Sequence, residues 1–436
     1  MKNILLLFCF AAYVSAQAQP IEKKADELLQ TYTQQNKFSG SVLIAVGGRV
    51  VFNKGYGYAD RDARLPVTTE TEFRAGSLTK MFTSSLILKL VQEQKIKFSD
   101  PVSKYVPGLA GGEKITIKNL LSHTSGIHGS TPPSAASLTE MVEGFNADTL
   151  AYKPGEKFEY NNFNYFLLSY IAEKVTGTPY PVLLKNKVLT PAGMDQSGLD
   201  FEGRTSAHKA LGYVTNPNTE QWVQTDSKEH VELASGAGAL YTTTGDLWKW
   251  AQATSKEQLL SKELYRDAFT PVQPGYGLGW IVGEDYGHFK IGHTGSIPGF
   301  IADFIMFPKD SITIIFLSNY QDLDGRQLEK DLTALVFGKP YELPKQKKEI
   351  VLAEDSLKSY VGIYEQAPNM QMNVLIENGK LKVIAPGGDK VELTAEAPDK
   401  FFLKGPEIEI KFLRENGAVV SMFVNMQGGQ TFKKIK

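Results

Sequence analysis

The chain is 436 residues and 48.2 kDa, 42% hydrophobic and 22% charged, with 47 basic against 48 acidic residues and a net charge of −1. That length holds two or three domains, or a large one with a small companion, and the balanced charge leaves no electrostatic footprint for nucleic acid or anionic lipid. Cys9 is the only cysteine, which sets aside disulfide frameworks, cysteine-rich zinc sites and thiol nucleophiles.

Residues 1–18 combine a basic start at Lys2, an apolar stretch from Ile4 to Val14 and the small-residue pattern Ala16-Gln17-Ala18. This predicts a secretory signal peptide, too short in its apolar core to span a membrane, and hence an exported protein, periplasmic or secreted. Ile21 to Gln35 predicts a helix on the spacing of Ile21, Ala25, Leu28 and Leu29. Ser41–Val46 and Val50–Lys54 predict a hairpin turning at Gly47-Gly48. Met81–Gln94 and Tyr165–Thr176 predict buried helices, the second stopped by Gly177. Tyr276–Val282 predicts an aromatic-rich strand. Phe300–Phe307 and Ile312–Ser318 predict a second hairpin, and Leu323–Phe337 a final helix. An antiparallel sheet made from both ends, with helices inserted between them, is an α+β domain over residues 19–340.

Past Gly338 the character changes. Residues 341–349 predict a linker rich in lysine and proline, and 350–436 an all-β meander punctuated by Asn378-Gly379, Gly387-Gly388, Asn416-Gly417 and Gly428-Gly429. Its short alternating runs predict a small barrel or sandwich.

Several chemistries are absent from the sequence. There is no Gly-x-Ser-x-Gly elbow, no phosphate-cradling Gly-x-x-x-x-Gly-Lys, and no third glycine to complete a dinucleotide loop after Gly275-Tyr276-Gly277-Leu278-Gly279. The pairs His123/His128 and His288/His293 lack zinc-protease spacing, so no metal is expected. Ser77-Leu78-Thr79-Lys80 stands out. It places a hydroxyl and an amine three residues apart where an apolar helix begins, with free N–H groups and a positive dipole end suited to an oxyanion. A lysine in that setting has a lowered pKa and can serve as a base. A second copy, Ser206-Ala207-His208-Lys209, lies in polar sequence with no helix after it. Tyr160-Asn161-Asn162, the only Tyr-x-Asn, and His293-Thr294-Gly295 follow in order. The glycine of the last motif would let a substrate lie against a strand edge.

Together these motifs resemble the three active-site signatures of the penicillin-recognising serine hydrolases, in the branch of class C β-lactamases, DD-peptidases and family VIII esterases. Leu120-Leu121-Ser122-His123-Thr124-Ser125-Gly126 and Tyr152-Lys153-Pro154-Gly155 are similar to that family too. The resemblance covers about residues 20–338. It implies the β-lactamase/transpeptidase fold and acyl transfer without a cofactor, on a small-molecule or peptide substrate with an ester or amide carbonyl. Ser77 would be the nucleophile, and Lys80 and Tyr160 would share proton transfer, either being the base. Asn162 would orient the substrate, His293, Thr294 and Gly295 would bind it, and the backbone N–H groups of Ser77 and Ser296 would form the oxyanion hole. His293 stands where β-lactamases usually carry lysine. A histidine partly charged near neutrality would bind a substrate carboxylate better in acid and give a bell-shaped pH profile. The expected order of substrates is esters, then peptides ending in a D-residue carboxylate, then nitrocefin. The competing reading is a protein of the same fold that binds peptidoglycan or another ligand without turnover.

Overall fold

The computed structural model describes residues 21–129, 137–145, 150–216, 219, 221–225, 231–344, 348–367, 370–386, 388, 390–404, 408–425 and 429–436. The expected signal peptide, 1–18, and residues 345–347 of the expected linker lie outside the described residues.

Helix α1 (21–34) buries Ile21, Ala25, Leu28 and Leu29, the stripe expected of it. Strands β1 (Gly40–Val46) and β2 (Arg49–Tyr56) turn through Gly47 and Gly48 at φ of +60° and +73°, the left-handed pair that matches strand twist. Helices α2 (Thr79–Gln92), α3 (Phe163–Thr176) and α4 (Thr244–Ser255) follow. The chain then returns as β3 (Ile281–Asp285), β4 (His288–Ile297), β5 (Phe300–Phe307) and β6 (Ile312–Ser318), and ends this unit with α5 (Gly325–Val336). The six strands form one antiparallel sheet in the order β3-β4-β5-β6-β1-β2. Gly40 lies opposite Ser318 and Val46 opposite Ile312, which sews the first hairpin to the last.

Strand β6 is buried at every position and β1 at all but its last, so both faces of the sheet are covered. Tyr32 Oη of α1 donates to Asp331 Oδ2 of α5 at 2.8 Å, tying those two helices together. Ser41 of β1 and Thr244 of α4 exchange a hydroxyl bond of 3.1 Å. Helix α2 is buried along almost its whole length, with Phe82 against Trp250 at 4.4 Å between centroids and Trp250 stacked on Trp280. One expectation fails. The strand placed at Tyr276–Val282 begins only at Ile281, because the preceding residues form a glycine-driven turn. Gly275 and Gly279 sit at φ of +85° and +81°, and a Cβ at Gly277 would lie 2.1 Å from Ala268 O.

The second compact unit contains 343–436 together with 213–224 and 322–324. Its main body is a closed barrel of eight antiparallel strands, β7 (Gly362–Ala367) to β14 (Gln430–Lys434), with Tyr364 opposite Lys434 where the first strand meets the last. Of the two architectures expected for the tail, it is the barrel. Tyr364, Val374, Phe401, Phe412, Met422 and Phe432 fill the interior. Asn378-Gly379 and Asn416-Gly417 hold positive φ at both residues, which makes them the tight turns their sequence predicts.

Candidate active site

Ser77 lies in a single 3-10 turn, Gly76–Leu78, that runs directly into α2. The turn is pinned from several directions. Thr79 Oγ1 donates to Gly76 O at 2.6 Å and accepts from Leu240 N–H, while Ala75 N–H donates to Leu240 O. Gly76 is required twice over. Its φ is +51°, and a Cβ there would stand 2.9 Å from Ser296 N. Strand β4 therefore passes its Ser296 amide beside the turn that carries Ser77.

Gly295 is needed for the same close approach, since a Cβ would come to 2.0 Å from Ala75 O. The space beside this glycine is filled by the Ser77 turn, not left for a substrate, which corrects the reason given for it above.

Lys80 is one helical turn beyond Ser77 and is wholly buried. Its Nζ lies 3.0 Å from Ser77 Oγ, 2.8 Å from Asn162 Oδ1 and 2.8 Å from Ala237 O. Burial pulls its pKa down to about 7. Tyr160 caps the amine, with Nζ 4.8 Å from its ring centroid, and its hydroxyl reaches Ser77. Tyr160 keeps 42% of its surface open, yet the surrounding protein pushes its phenol up to about 12, with the Ser77 contact working the other way.

His293 departs from expectation. It is only 3% exposed, and both ring nitrogens are engaged: Nδ1 lies 2.6 Å from Thr294 O and Nε2 3.0 Å from Tyr276 Oη. A carbonyl can only accept, so Nδ1 carries the hydrogen and Nε2 accepts from the tyrosine hydroxyl. Burial, reinforced by the Lys80 charge, pulls the ring down to about 3 against the favourable Thr294 carbonyl. The partly charged histidine anticipated above is instead neutral across the working pH range, and neither nitrogen offers a spare proton to a carboxylate.

Ser77, Tyr160, Tyr276, His293, Thr294 and Ser296 share the lining of one cleft of about 440 Å³, walled further by Phe158 and Ile281. Among the described residues, that lining holds no lysine, arginine, aspartate or glutamate. The second Ser-x-x-Lys plays no part. Ser206 accepts from His208 N–H, and Lys209 points toward Asp200 at 3.7 Å.

The Beta-lactamase family model matches residues 21–337. The chain belongs to the beta-lactamase family. It is 28% identical over 440 residues to Penicillin-binding protein 4* of Bacillus subtilis, covering 94% of this chain and 97% of that protein. A second Bacillus subtilis relative, PbpX, is 33% identical over 312 residues, covering 69% of this chain and 78% of the relative. Among solved structures, the octameric penicillin-binding protein homologue from Pyrococcus abyssi aligns with a TM-score of 0.65 at 26% identity, over 94% of this chain and 99% of that one.

Three partners of this beta-lactamase-family cleft were not visible in the sequence. Ala237 contributes a backbone carbonyl, which leaves no side-chain signature. Tyr276 was read as part of a strand. His123 lies under Tyr160, its two rings 4.4 Å apart. Its place in the family-like run Leu120–Gly126 was the one signal available in the sequence. No helix among the described residues is long and apolar enough to cross a membrane.

Proposed function

We propose that the protein is an exported serine hydrolase that forms an acyl-enzyme on Ser77 and prefers uncharged ester or amide substrates. The observation that carries this reading is the set of atoms around Lys80 Nζ. Asn162 Oδ1 and Ala237 O are pure acceptors, and Ser77 Oγ is a hydroxyl. A neutral amine has two N–H bonds and one lone pair. Spending the two hydrogens on Asn162 and Ala237 turns the lone pair toward the serine proton. With its amine near 7, Lys80 is the base; Tyr160, near 12, keeps its proton and is the acid for the leaving group.

Attack by Ser77 Oγ on the substrate carbonyl transfers the serine proton to Lys80 and places negative charge on the carbonyl oxygen. The N–H groups of Ser77 and Ser296, on converging backbones, would receive that oxygen. Collapse expels the leaving group with a proton from Tyr160, which Lys80 restores. Water then repeats the sequence on the acyl-enzyme and frees the acid. The apolar walls, Phe158, Tyr276 and Ile281, favour a flat or aliphatic acyl group, and the absence of a cation in the described lining disfavours a carboxylate. Export rests on the pattern of residues 1–18.

The names of the relatives support a second reading, in which a penicillin acylates Ser77 and is released slowly. A panel of nitrophenyl esters, D-alanyl-D-alanine peptides, D-amino-acid amides and nitrocefin tests both readings. Esters should be cleaved fastest, and Ser77→Ala should abolish every activity. Nitrocefin turnover exceeding ester turnover would make the second reading the better one.

A further inference from the structure

His123 touches three consecutive residues of the second motif's loop. Its carbonyl accepts from Glu159 N–H at 2.9 Å, its ring lies against the Tyr160 ring, and its Nδ1 accepts from Asn161 N–H at 3.1 Å. Asn164 Nδ2, from the first turn of α3, reaches the same Nδ1 at 3.3 Å, and Asn164 is itself fixed by Ser125 Oγ. The residue is fully buried and holds a left-handed backbone at φ +54°, a conformation that costs energy for a side chain of this size. Since Nδ1 accepts, the hydrogen sits on Nε2, which has no partner among the described residues. The Glu159 bond uses only the backbone of residue 123, but the Nδ1 acceptor for Asn161 N–H and the ring against Tyr160 both belong to the histidine side chain, and packing alone would not need the acceptor.

We propose that His123 is the positioning residue for Tyr160, a neutral Nε2–H imidazole that holds the phenol over Lys80 and keeps water from the amine. The proposal rests on the reading of Ser77 as the nucleophile. The titratable groups facing His123 are Lys80 and His293 together with Tyr160, Tyr165 and Tyr276, and none offers a carboxylate to stabilise a charged ring. Burial, Lys80 and His293 all hold its pKa well below the usual 6.5.

The test separates the two contacts. His123→Asn keeps an acceptor for Asn161 and tolerates positive φ but loses the ring; His123→Phe keeps the ring and loses the acceptor. Each should lower kcat for a nitrophenyl ester at least tenfold while KM changes less than threefold. In His123→Asn, water reaching Lys80 should raise the acid limb of the pH profile by half a unit or more. Folded variants with the parent's kcat and pH profile would overturn the proposal. So would histidine-labelled nitrogen NMR of the parent, if His123 carried its hydrogen on Nδ1 or titrated near 6.5; a ring that stays neutral with hydrogen on Nε2 between pH 5 and 9 is expected. Ser77→Ala serves as the reference: if it stays active, the nucleophile assignment fails, whereas a dead Ser77→Ala beside parent-like His123 variants removes only the role of His123.

Discussion

Replacing Lys80 with methionine should change the pH dependence of stability, because the lysine titrates differently in the folded and unfolded chain. Unfolded, it holds its proton to about pH 10.4. Folded, burial lowers that to about 7. Between these values the unfolded state binds one proton more than the native state, so stability rises with pH. The slope approaches ~1.4 kcal/mol per pH unit, or about 3 kcal/mol between pH 7 and 9.5. The penalty for charging the amine is fully present below pH 7 and disappears above the unfolded value. Methionine removes this titration, but it leaves Asn162 Oδ1 and Ala237 O without their donor, at roughly 1–3 kcal/mol each. A comparison at one pH therefore mixes two effects of opposite sign, and the slope separates them. Urea unfolding followed by tryptophan fluorescence, with Trp248, Trp250 and Trp280 all in the larger unit, measures it. The parent should gain on Lys80→Met by about 3 kcal/mol from pH 7 to 9.5. A difference that does not change with pH would mean Lys80 keeps an ordinary pKa, and its assignment as base would fall.

Ester hydrolysis by the parent should show an acid limb in kcat/KM near pH 7, where Lys80 protonates, and no second inflection between pH 4 and 6 from His293; a rise in carboxylate binding across that range, read as a falling KM, would contradict the neutral ring. Gly295→Ala places a methyl 2.0 Å from Ala75 O and should cost about 3 kcal/mol of stability with at least a hundredfold loss of activity; a thermal midpoint and activity like the parent's would show that β4 can move aside. Tyr276→Phe leaves His293 Nε2 without its donor and should destabilise by roughly 1–3 kcal/mol, read by urea unfolding; an unchanged midpoint would mean the bond contributes nothing. We also propose that residues 350–436 fold independently, so that this segment expressed alone should unfold cooperatively; a featureless melt would count against it.

Much of the sheet was legible because its strands declare themselves. Phe300–Phe307 and Ile312–Ser318 are apolar runs bounded by turn residues, and a strand covered on both faces needs that composition. The barrel turns at Asn378-Gly379 and Asn416-Gly417 were readable for the same kind of reason, since few other pairs accept positive φ twice. Tyr276–Val282 misled because its aromatic residues have strand propensity, while the outcome depended on how closely Gly277 approaches Ala268. Around the nucleophile, Ser77, Lys80, Tyr160 and Asn162 belong to motifs marked by their spacing, and the structure brings all four together, with Lys80 buried behind Ser77. The charge on His293 was not legible. Its neutrality follows from burial and from Tyr276, neither of which a three-residue motif records. The Ala237 carbonyl and the His123 ring escaped for a similar reason, as each acts through tertiary contacts that leave no pattern along the chain.

The central claim is that Ser77 becomes acylated with Lys80 as the base, and intact-mass spectrometry tests it most directly. The parent, Ser77→Ala and Lys80→Met would be mixed with a slowly released nitrophenyl ester at pH 8 and quenched at intervals. A single acyl adduct is expected on the parent, mapped by peptide digestion to Ser77, with none on Ser77→Ala and formation on Lys80→Met slower by a factor of at least a thousand. An adduct on Ser77→Ala at the parent's rate, or Lys80→Met acylating as fast as the parent, would contradict the claim.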